Sequence, residues 1–364
     1  MAIGLILIWL FFAFATDNFL SPRNLTMLSI EVAVTATLAL GMLLVLLPGM
    51  IDLSVGSGVG MIGGIAAVLI FRLDWSAGWS MVVGMVVGIL VWTGMGALIA
   101  KQRIPSFIIT LGGLLVFKGL FWKIISSETV PVVAGGQENA LSILTTYYLP
   151  TWAGSLLLVL LLALMVSLQW RKRKSRARHG FPLEPLPLTW LKGLITFQAC
   201  LLAVLVLNQF QGIPLALLVL LGVAAGVHVL IQHTRFGRYL YAIGGNREAA
   251  LLSGVPIDRV IIGAFGALGL IVALSGYLQT AYSGASTTTI GNLMELDAIA
   301  ACVIGGTSLS GGRGHVLGVL IGAVIMATLL NGMTLMAVAP ETKFIARGTV
   351  LALAVWMDIR LSKS

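Results

Sequence analysis

The chain has 364 residues, of which 59% are hydrophobic and only 10% are charged, and its mean hydropathy is +1.04. Because soluble domains carry roughly 25% charged residues, this composition excludes an ordinary soluble domain and indicates a polytopic membrane protein. The formal net charge of +9 does not indicate nucleic-acid binding, since the basic residues fall between apolar runs, where they orient helices. Long unbroken apolar runs favour helices over barrel strands, so the predicted fold class is all-α.

Apolar segments follow one another along the whole chain, and they predict about 10–12 transmembrane or re-entrant helices. Residues 1–15 are short for a span; we interpret them as a first span lacking some upstream residues, with a signal peptide as the alternative. The next two predicted segments cover residues 25–47 and a run ending near residue 71. The others are predicted at 79–100, 106–125, 152–170, 191–207, 214–232, 261–282, 293–309, 315–336 and 344–359.

The distribution of basic residues predicts how these segments are oriented. With the N-terminus inside and every segment crossing, 16 of the 22 Lys and Arg residues face the cytoplasm. This asymmetry agrees with the positive-inside rule, so we expect both termini in the cytoplasm. The basic run at 171–180 is interpreted as an orientation anchor that attracts anionic membrane lipid.

Two segments are rich in glycine. Small residues let helix backbones approach closely in lipid, where apolar burial between helices contributes little. We therefore predict two tightly packed helices at these segments. Their glycines are Gly84, Gly88, Gly94 and Gly96 in the first, and Gly263, Gly266, Gly269 and Gly276 in the second.

Two interruptions of the apolar pattern resemble each other. The first, GMIDLSVGSG, lies at 49–58, and the second, GGTSLSGGRG, lies at 305–314. Transporters are often built from duplicated halves, and matching helix breaks point to their pathway. We therefore predict an internal duplication with one helix break in each copy. The charge distribution gives both copies the same orientation, so it does not establish an inverted repeat.

A long polar interruption at 234–260 separates two apolar runs and carries four arginines. It contains a predicted short helix: Asn246 caps its start, Glu248 lies in the first turn, and Gly254 with Pro256 ends it. Two interpretations stay open from the residues alone. The segment is either a docking surface for a cytoplasmic partner or an ordinary cytoplasmic loop whose arginines set orientation.

Four carboxylates fall within or beside apolar segments: Glu31, Asp52, Glu295 and Asp297. An acid in apolar surroundings costs a few kcal/mol unless it is paired, which makes it a functional candidate. Glu295 and Asp297 lie two residues apart on a predicted helix and do not share a face, so they make a poor metal or catalytic pair. A structural role is favoured over substrate contact for these two residues.

The sequence lacks several motifs of catalytic and metal sites. No Lys directly follows a Gly, so the G-K-[ST] ending of a phosphate-binding P-loop is absent, as are HExxH, CxxC and GxSxG. We therefore expect no catalytic site, no bound cofactor and no metal, and predict that the chain does not hydrolyse ATP by itself.

Three stretches resemble the permeases of bacterial ABC sugar importers: IDLSVGS at 51–57, YAIGGNREAALLSGV at 241–255 and ELDAIAACVIGGTSLSGGRG at 295–314. The resemblance covers essentially the whole chain and is closest to the ribose, arabinose and xylose branch. The hairpin at 152–207, with its basic cytoplasmic loop, resembles an insertion typical of the D-xylose-type permease. The chain also begins later than that subfamily does.

This resemblance implies a single transmembrane permease domain over residues 1–364 in the bacterial inner membrane. It implies a homodimer, a cytoplasmic ATPase with two nucleotide-binding modules, and a periplasmic sugar-binding protein that delivers a pentose. The 234–260 segment becomes the cytoplasmic coupling loop. Its implied ATPase-coupling residues are Arg238, Asn246, Glu248, Ala249, Ala250 and Gly254. The candidate pathway residues are Asp52, Ser54, Ser57, Glu295, Asp297, Thr307 and Ser308.

The chief alternative is a proton-coupled secondary sugar transporter in which Glu31 or Asp297 carries the proton. A free-standing carrier would not need an arginine-flanked docking helix, which favours the ATP-driven importer. A structural or receptor-like membrane protein is a third alternative, which the two helix breaks disfavour.

Overall fold

A computed structural model of the protein describes residues 2–133, 135–181 and 185–363. Helices account for most of this part of the chain. The first eight are α1 (Ala2–Ala15), α2 (Pro22–Leu46), α3 (Val55–Phe71), α4 (Ala77–Gln102), α5 (Ser106–Ile124), α6 (Ile143–Thr146), α7 (Thr151–Arg178) and α8 (Leu186–Asn208). The others are α9 (Leu215–His233), α10 (Arg235–Gly245), α11 (Arg247–Leu252), α12 (Ile257–Ser283), α13 (Met294–Ile304), α14 (Val316–Leu335) and α15 (Pro340–Lys363).

Two short antiparallel strand pairs tie loops together at one side of the helices. Strand β1 (Val130–Pro131) pairs with β4 (Ala285–Ser286), and β2 (Tyr148–Leu149) pairs with β3 (Ile213–Pro214). We call this side the outer side. The opposite side, which carries the α4–α5 turn, α10, α11 and the start of α12, is called the inner side; the charge distribution assigns it to the cytoplasm.

The all-α polytopic fold is confirmed. Among the described residues, six helices are long and apolar enough to cross a membrane, namely α2, α4, α5, α9, α12 and α14. Shorter apolar helical segments lie at Ile3–Ala15, Val55–Phe71, Thr151–Leu160 and Gly193–Asn208. Each predicted apolar segment coincides with a helix. Helix α13 is shorter than predicted: it ends at Ile304 rather than near residue 309, because the backbone turns at Gly306 with a φ of +83°.

The tight packing predicted for the two glycine-rich segments is confirmed where α4 crosses α12. A Cβ atom on Gly88 would lie 2.7 Å from the carbonyl oxygen of Gly269, so the two backbones are in contact. Gly94 is the exception, because a Cβ there would meet no atom within 4 Å. Helix α2 packs against α12, and its residues from Leu38 to Leu46 are all buried.

The hairpin predicted at 152–207 corresponds to α7 and α8, which pack against each other. Helix α7 continues through the basic run as far as Arg178, because Lys and Arg are good helix formers and no Gly or Pro interrupts them. Residues 182–184 of the connecting loop lie outside the described residues. That this hairpin is an insertion, and that its loop is cytoplasmic, stay predictions.

Candidate functional site

Helix α11 begins and ends as the sequence predicts. The side chain of Asn246 accepts a hydrogen bond from the backbone N–H of Ala249 at 2.9 Å, which caps the first turn. At the other end Gly254 has a φ of +79°. The N–H of Gly254 donates to Leu251 O at 2.9 Å and that of Val255 donates to Ala250 O at 3.0 Å, which is a Schellman ending. The predicted short helix is therefore confirmed, while its docking role stays a prediction.

One face of α11 is exposed on the inner side. The side chains of Leu251 and Leu252 are 63% and 89% exposed, although both are apolar. Glu248 and Ala249 are also exposed, whereas Ala250 is buried and anchors the helix to the protein. An open cleft of about 760 Å³ borders this face. Its lining includes the arginines Arg103, Arg247 and Arg259.

Sequence reasoning missed helix α10, which precedes α11. Its buried residues Gly237, Leu240 and Ile243 recur every three positions, while Arg235 and Arg238 are exposed. Thr234 caps the helix by accepting a hydrogen bond from the N–H of Gly237 at 3.2 Å. This threonine and the helical spacing of apolar residues are signals that could have revealed α10.

The C-terminal end of α10 contacts the second predicted helix break and the end of α2, just before the first break. A Cβ atom on Gly244 would collide with Leu47 O and with Gly312 N, so three backbone segments meet here without side chains between them. The N–H of Gly312 donates a hydrogen bond to Leu47 O at 2.9 Å. We call this place the inner junction, and define it by residues 47–49, 244–245 and 311–314. The structure thus brings together three motifs that are far apart in the sequence.

A side-chain hydrogen bond adds to the inner junction. The phenolic O–H of Tyr241 donates to Gly314 O at 2.7 Å. Burial raises the pKa of the Tyr241 phenol above its usual value near 10, because the charged form loses solvation. Tyr241 therefore keeps its proton at neutral pH and remains a donor to the second break.

The first break is held by Asp52, which is fully buried. Its Oδ1 accepts hydrogen bonds from the N–H of Ser54 at 2.7 Å and from the hydroxyl of Ser54 at 2.6 Å. Its Oδ2 accepts one from Trp92 Nε1 at 2.8 Å. These bonds fasten the break to α4. Asp52 and Ser54 are thus enclosed in this conformation, whereas Ser57 on the next turn is half-buried.

The second break is a compact turn between α13 and α14. Thr307 and Ser308 are both buried in it. The N–H of Ser308 donates to Arg313 O at 3.0 Å, and its hydroxyl lies 2.8 Å from that of Ser310. Within the described part of the chain, Thr307 Oγ1 is buried without a hydrogen-bond partner. Both residues are candidate pathway residues, and that role stays a prediction.

Glu295 and Asp297 point to different neighbours, as their spacing predicts. A Cβ atom on Gly56 would collide with a carboxylate oxygen of Glu295, so this residue packs against the start of α3. The carboxylate of Asp297 instead lies 3.2 Å from Nε of Arg347 on α15. Glu295 therefore adjoins the first break, whereas Asp297 lies apart from both breaks, beside α15.

Comparison with known proteins identifies the class of molecule to which this arrangement belongs. Residues 24–355 match the family described as branched-chain amino acid transport system / permease component, and the chain belongs to this family of transport-system permeases. Together with the apolar helices, this makes it a multi-pass protein of the inner membrane.

Individual relatives match almost the whole chain. The xylose transport system permease protein XylH of Escherichia coli K12 is 40% identical, over 98% of this chain and 90% of the relative. XylH of Haemophilus influenzae is 37% identical, over 98% of this chain and 95% of the relative. The ribose import permease protein RbsC of Escherichia coli K12 is 31% identical, over 94% of this chain and 88% of the relative. No solved structure matched the chain.

Proposed function

We propose that the protein is the membrane-spanning permease subunit of an ATP-driven importer for a pentose, with D-xylose as its substrate. It would form the translocation pathway and dock a separate cytoplasmic ATPase through α11. The observation that supports this proposal is the inner junction, where the helix preceding the exposed α11 touches the second helix break and the residue Leu47 just before the first break.

The substrate assignment is supported by the relatives. The proteins named xylose transport permeases are 40% and 37% identical to this chain, whereas the one named ribose import permease is 31% identical. The resemblance of the 152–207 hairpin to an insertion of the xylose-type permease supports the same assignment.

The proposed assembly contains two copies of this chain and an ATPase with two nucleotide-binding modules. A periplasmic sugar-binding protein would deliver the sugar at the outer side, and membrane lipid would surround the exposed apolar helices. The chain would act without a nucleotide site of its own, which the absence of a Gly-Lys pair supports. No cofactor is required by this role.

The proposed mechanism is mechanical. ATP-driven closure of the ATPase would displace α11, and the capped ends of this short helix would transmit the motion to α10. Because packed interiors are not continuously deformable, α10 would carry the displacement into the two breaks at the inner junction. Exposed Leu251, Leu252 and Glu248 would provide the contact with the ATPase, and Arg238 would flank it.

The test is the variant Glu248→Lys in the complex reconstituted with its ATPase and sugar-binding protein. We expect normal membrane insertion, loss of ATPase co-purification and loss of D-xylose uptake, because the charge at the docking face is reversed. Glu138→Lys, which makes the same change at an exposed outer loop position, is the matched control. Normal ATPase co-purification with Glu248→Lys would contradict the docking role of α11.

The proton-coupled alternative gains some support from Glu31 and Asp297, which border one cavity on the outer side. Permease reconstituted alone, with a proton gradient and no ATP, separates the two functions. The importer would show no accumulation of D-xylose under these conditions. Accumulation without the ATPase would establish the secondary transporter instead.

A further inference from the structure

A cavity of about 250 Å³ lies between helices on the outer side of the protein. We call it the outer cavity. Polar residues at its wall include Glu31 on α2, Gln279 and Tyr282 on α12, Asn292 before α13, Asp297 on α13, and Arg347 on α15. Glu31 lies nine residues into α2 and Arg347 seven residues into α15, which places both about 10–14 Å from the outer helix ends.

Two charged side chains at this wall have unused hydrogen-bonding capacity. Asp297 Oδ1 and Arg347 Nε form an ion pair at 3.2 Å. Nevertheless, neither atom has an aligned hydrogen-bond partner among the described residues. The side chain of Asp297 is only 7% exposed. Since the ion pair leaves the hydrogen-bonding capacity of both atoms unused, a hydroxyl group in the cavity would find an acceptor in Asp297 and a donor in Arg347.

Glu31 is held in place by a polar network. Its Oε1 accepts a hydrogen bond from the hydroxyl of Tyr282 at 2.8 Å, and its Oε2 accepts one from the amide of Asn331 at 3.2 Å. Asn331 is fixed in turn by Asn24, whose amide donates to it at 3.0 Å. A carboxylate offers about four acceptor positions, so Glu31 retains capacity for a ligand.

The size and chemistry of the outer cavity select the ligand. Its volume of about 250 Å³ is sufficient for one monosaccharide ring. Carboxylates accept hydrogen bonds from hydroxyl groups, and a guanidinium group donates them, so both roles of a sugar hydroxyl are met. Two carboxylates against one arginine disfavour an anionic ligand, and the three charged groups disfavour a wholly apolar one.

We propose that the outer cavity is a monosaccharide-binding site on the entry side of the translocation route, where Glu31 and Asp297 accept hydrogen bonds from sugar hydroxyls and Arg347 donates them. This inference rests on the proposed function and names the contacts that the sugar makes. The site binds weakly, because a permease must release what it receives. Its occupant is a neutral pentose, and a bound cation is the alternative that the experiment excludes.

The experiment measures D-xylose binding to the purified full-length permease in lipid nanodiscs by saturation-transfer NMR. The first variant is Asp297→Asn combined with Arg347→Gln, which removes both charges together and so leaves neither one buried and unpaired. The second variant is Glu31→Gln. Arg23→Gln, at an exposed position at the outer end of α2, is the control. Size-exclusion profiles and co-purification of the ATPase report on folding in each case.

We expect saturable D-xylose binding to the wild type and to Arg23→Gln. Both cavity variants should bind at least about tenfold more weakly, since each loses charge-assisted hydrogen bonds. Wild-type affinity in either folded variant, or the absence of saturable D-xylose binding to the wild type, would overturn the inference.

ATP-driven uptake by the complete complex separates this inference from the proposed function. If the wild type imports D-xylose and both cavity variants keep wild-type binding and turnover, only the outer cavity site is overturned. Failure of the wild-type complex to import any pentose overturns the proposed function, and the site inference with it.

Discussion

The phenolic hydroxyl of Tyr241 donates a hydrogen bond to Gly314 O at 2.7 Å, across 73 residues of sequence. Tyr241 lies on α10, which leads directly into α11, and Gly314 ends the second helix break. This bond therefore joins the helix that leads into the proposed ATPase contact to the second helix break, to which the displacement is proposed to pass. We expect this bond to transmit motion from α10 to the second break, and this effect can be measured separately from the stability of the fold.

For Tyr241→Phe we expect ATPase binding close to that of the wild type but a lower ratio of sugar imported to ATP hydrolysed. One neutral hydrogen bond contributes only about 0.5–1.5 kcal/mol, so the protein should still fold. The measurement is parallel D-xylose uptake and ATP hydrolysis in proteoliposomes. Tyr239→Phe, which removes a hydroxyl from the same helix, is the control, and equal ratios in both variants would refute the coupling role.

The inner junction also predicts different outcomes for two adjacent glycines. For Gly244→Ala, the added methyl group would collide with Leu47 O and Gly312 N, which are backbone atoms of two different segments. Overpacking typically costs about 1–3 kcal/mol and can cost more where the backbone cannot move. For Gly245→Ala, the methyl group would meet no atom within 4 Å.

We therefore expect Gly244→Ala to lower the melting temperature of the detergent-solubilised protein and to abolish uptake, while Gly245→Ala leaves both nearly unchanged. Thermal denaturation and uptake assays on the two variants check this prediction. If Gly244→Ala were as stable and active as Gly245→Ala, the three backbone segments would not meet as the structure describes.

The cap of α11 gives a third prediction. Asn246→Ala removes the acceptor for the N–H of Ala249, which costs about 1 kcal/mol, and a helix of six residues has little else to hold its first turn. We expect faster proteolysis of the inner segment and weaker ATPase binding, since the docking helix would fray. Asn246→Asp, which retains a capping oxygen, should keep proteolysis and ATPase binding close to those of the wild type. If Asn246→Asp were as impaired as Asn246→Ala, the amide of Asn246 would have a function other than capping.

Local signals explain why parts of the site were predictable from the sequence. The cap at Asn246 and the left-handed Gly254 act within one or two turns, so a short window of sequence contains all the relevant information. The helix breaks are similarly marked by glycines. The all-α polytopic fold follows from apolar runs, whose length and composition decide that they enter the membrane.

The assembly of the site was not predictable, because it depends on packing between distant segments. Leu47, Gly244 and Gly312 lie in three separate parts of the sequence, and no local pattern states that their backbones touch. Nor did any local signal indicate Trp92, 40 residues from Asp52, as the partner of that carboxylate. The tryptophan fits there because a side chain at Gly58 would occupy the position of its ring.

The bond between Trp92 and Asp52 leads to the last prediction. In Trp92→Phe, the buried Asp52 Oδ2 would lose its hydrogen-bond donor, and leaving a buried acceptor unsatisfied costs about 1–3 kcal/mol, more for a charged group. Because Asp52 shapes the first break, the loss should also perturb the adjacent inner junction. We expect a lower melting temperature together with reduced uptake. Trp79→Phe, at a 69% exposed position on the same helix, should change neither property. Equal melting temperatures for the two variants would mean that the indole of Trp92 contributes only its apolar surface, and that Asp52 is held by Ser54 alone.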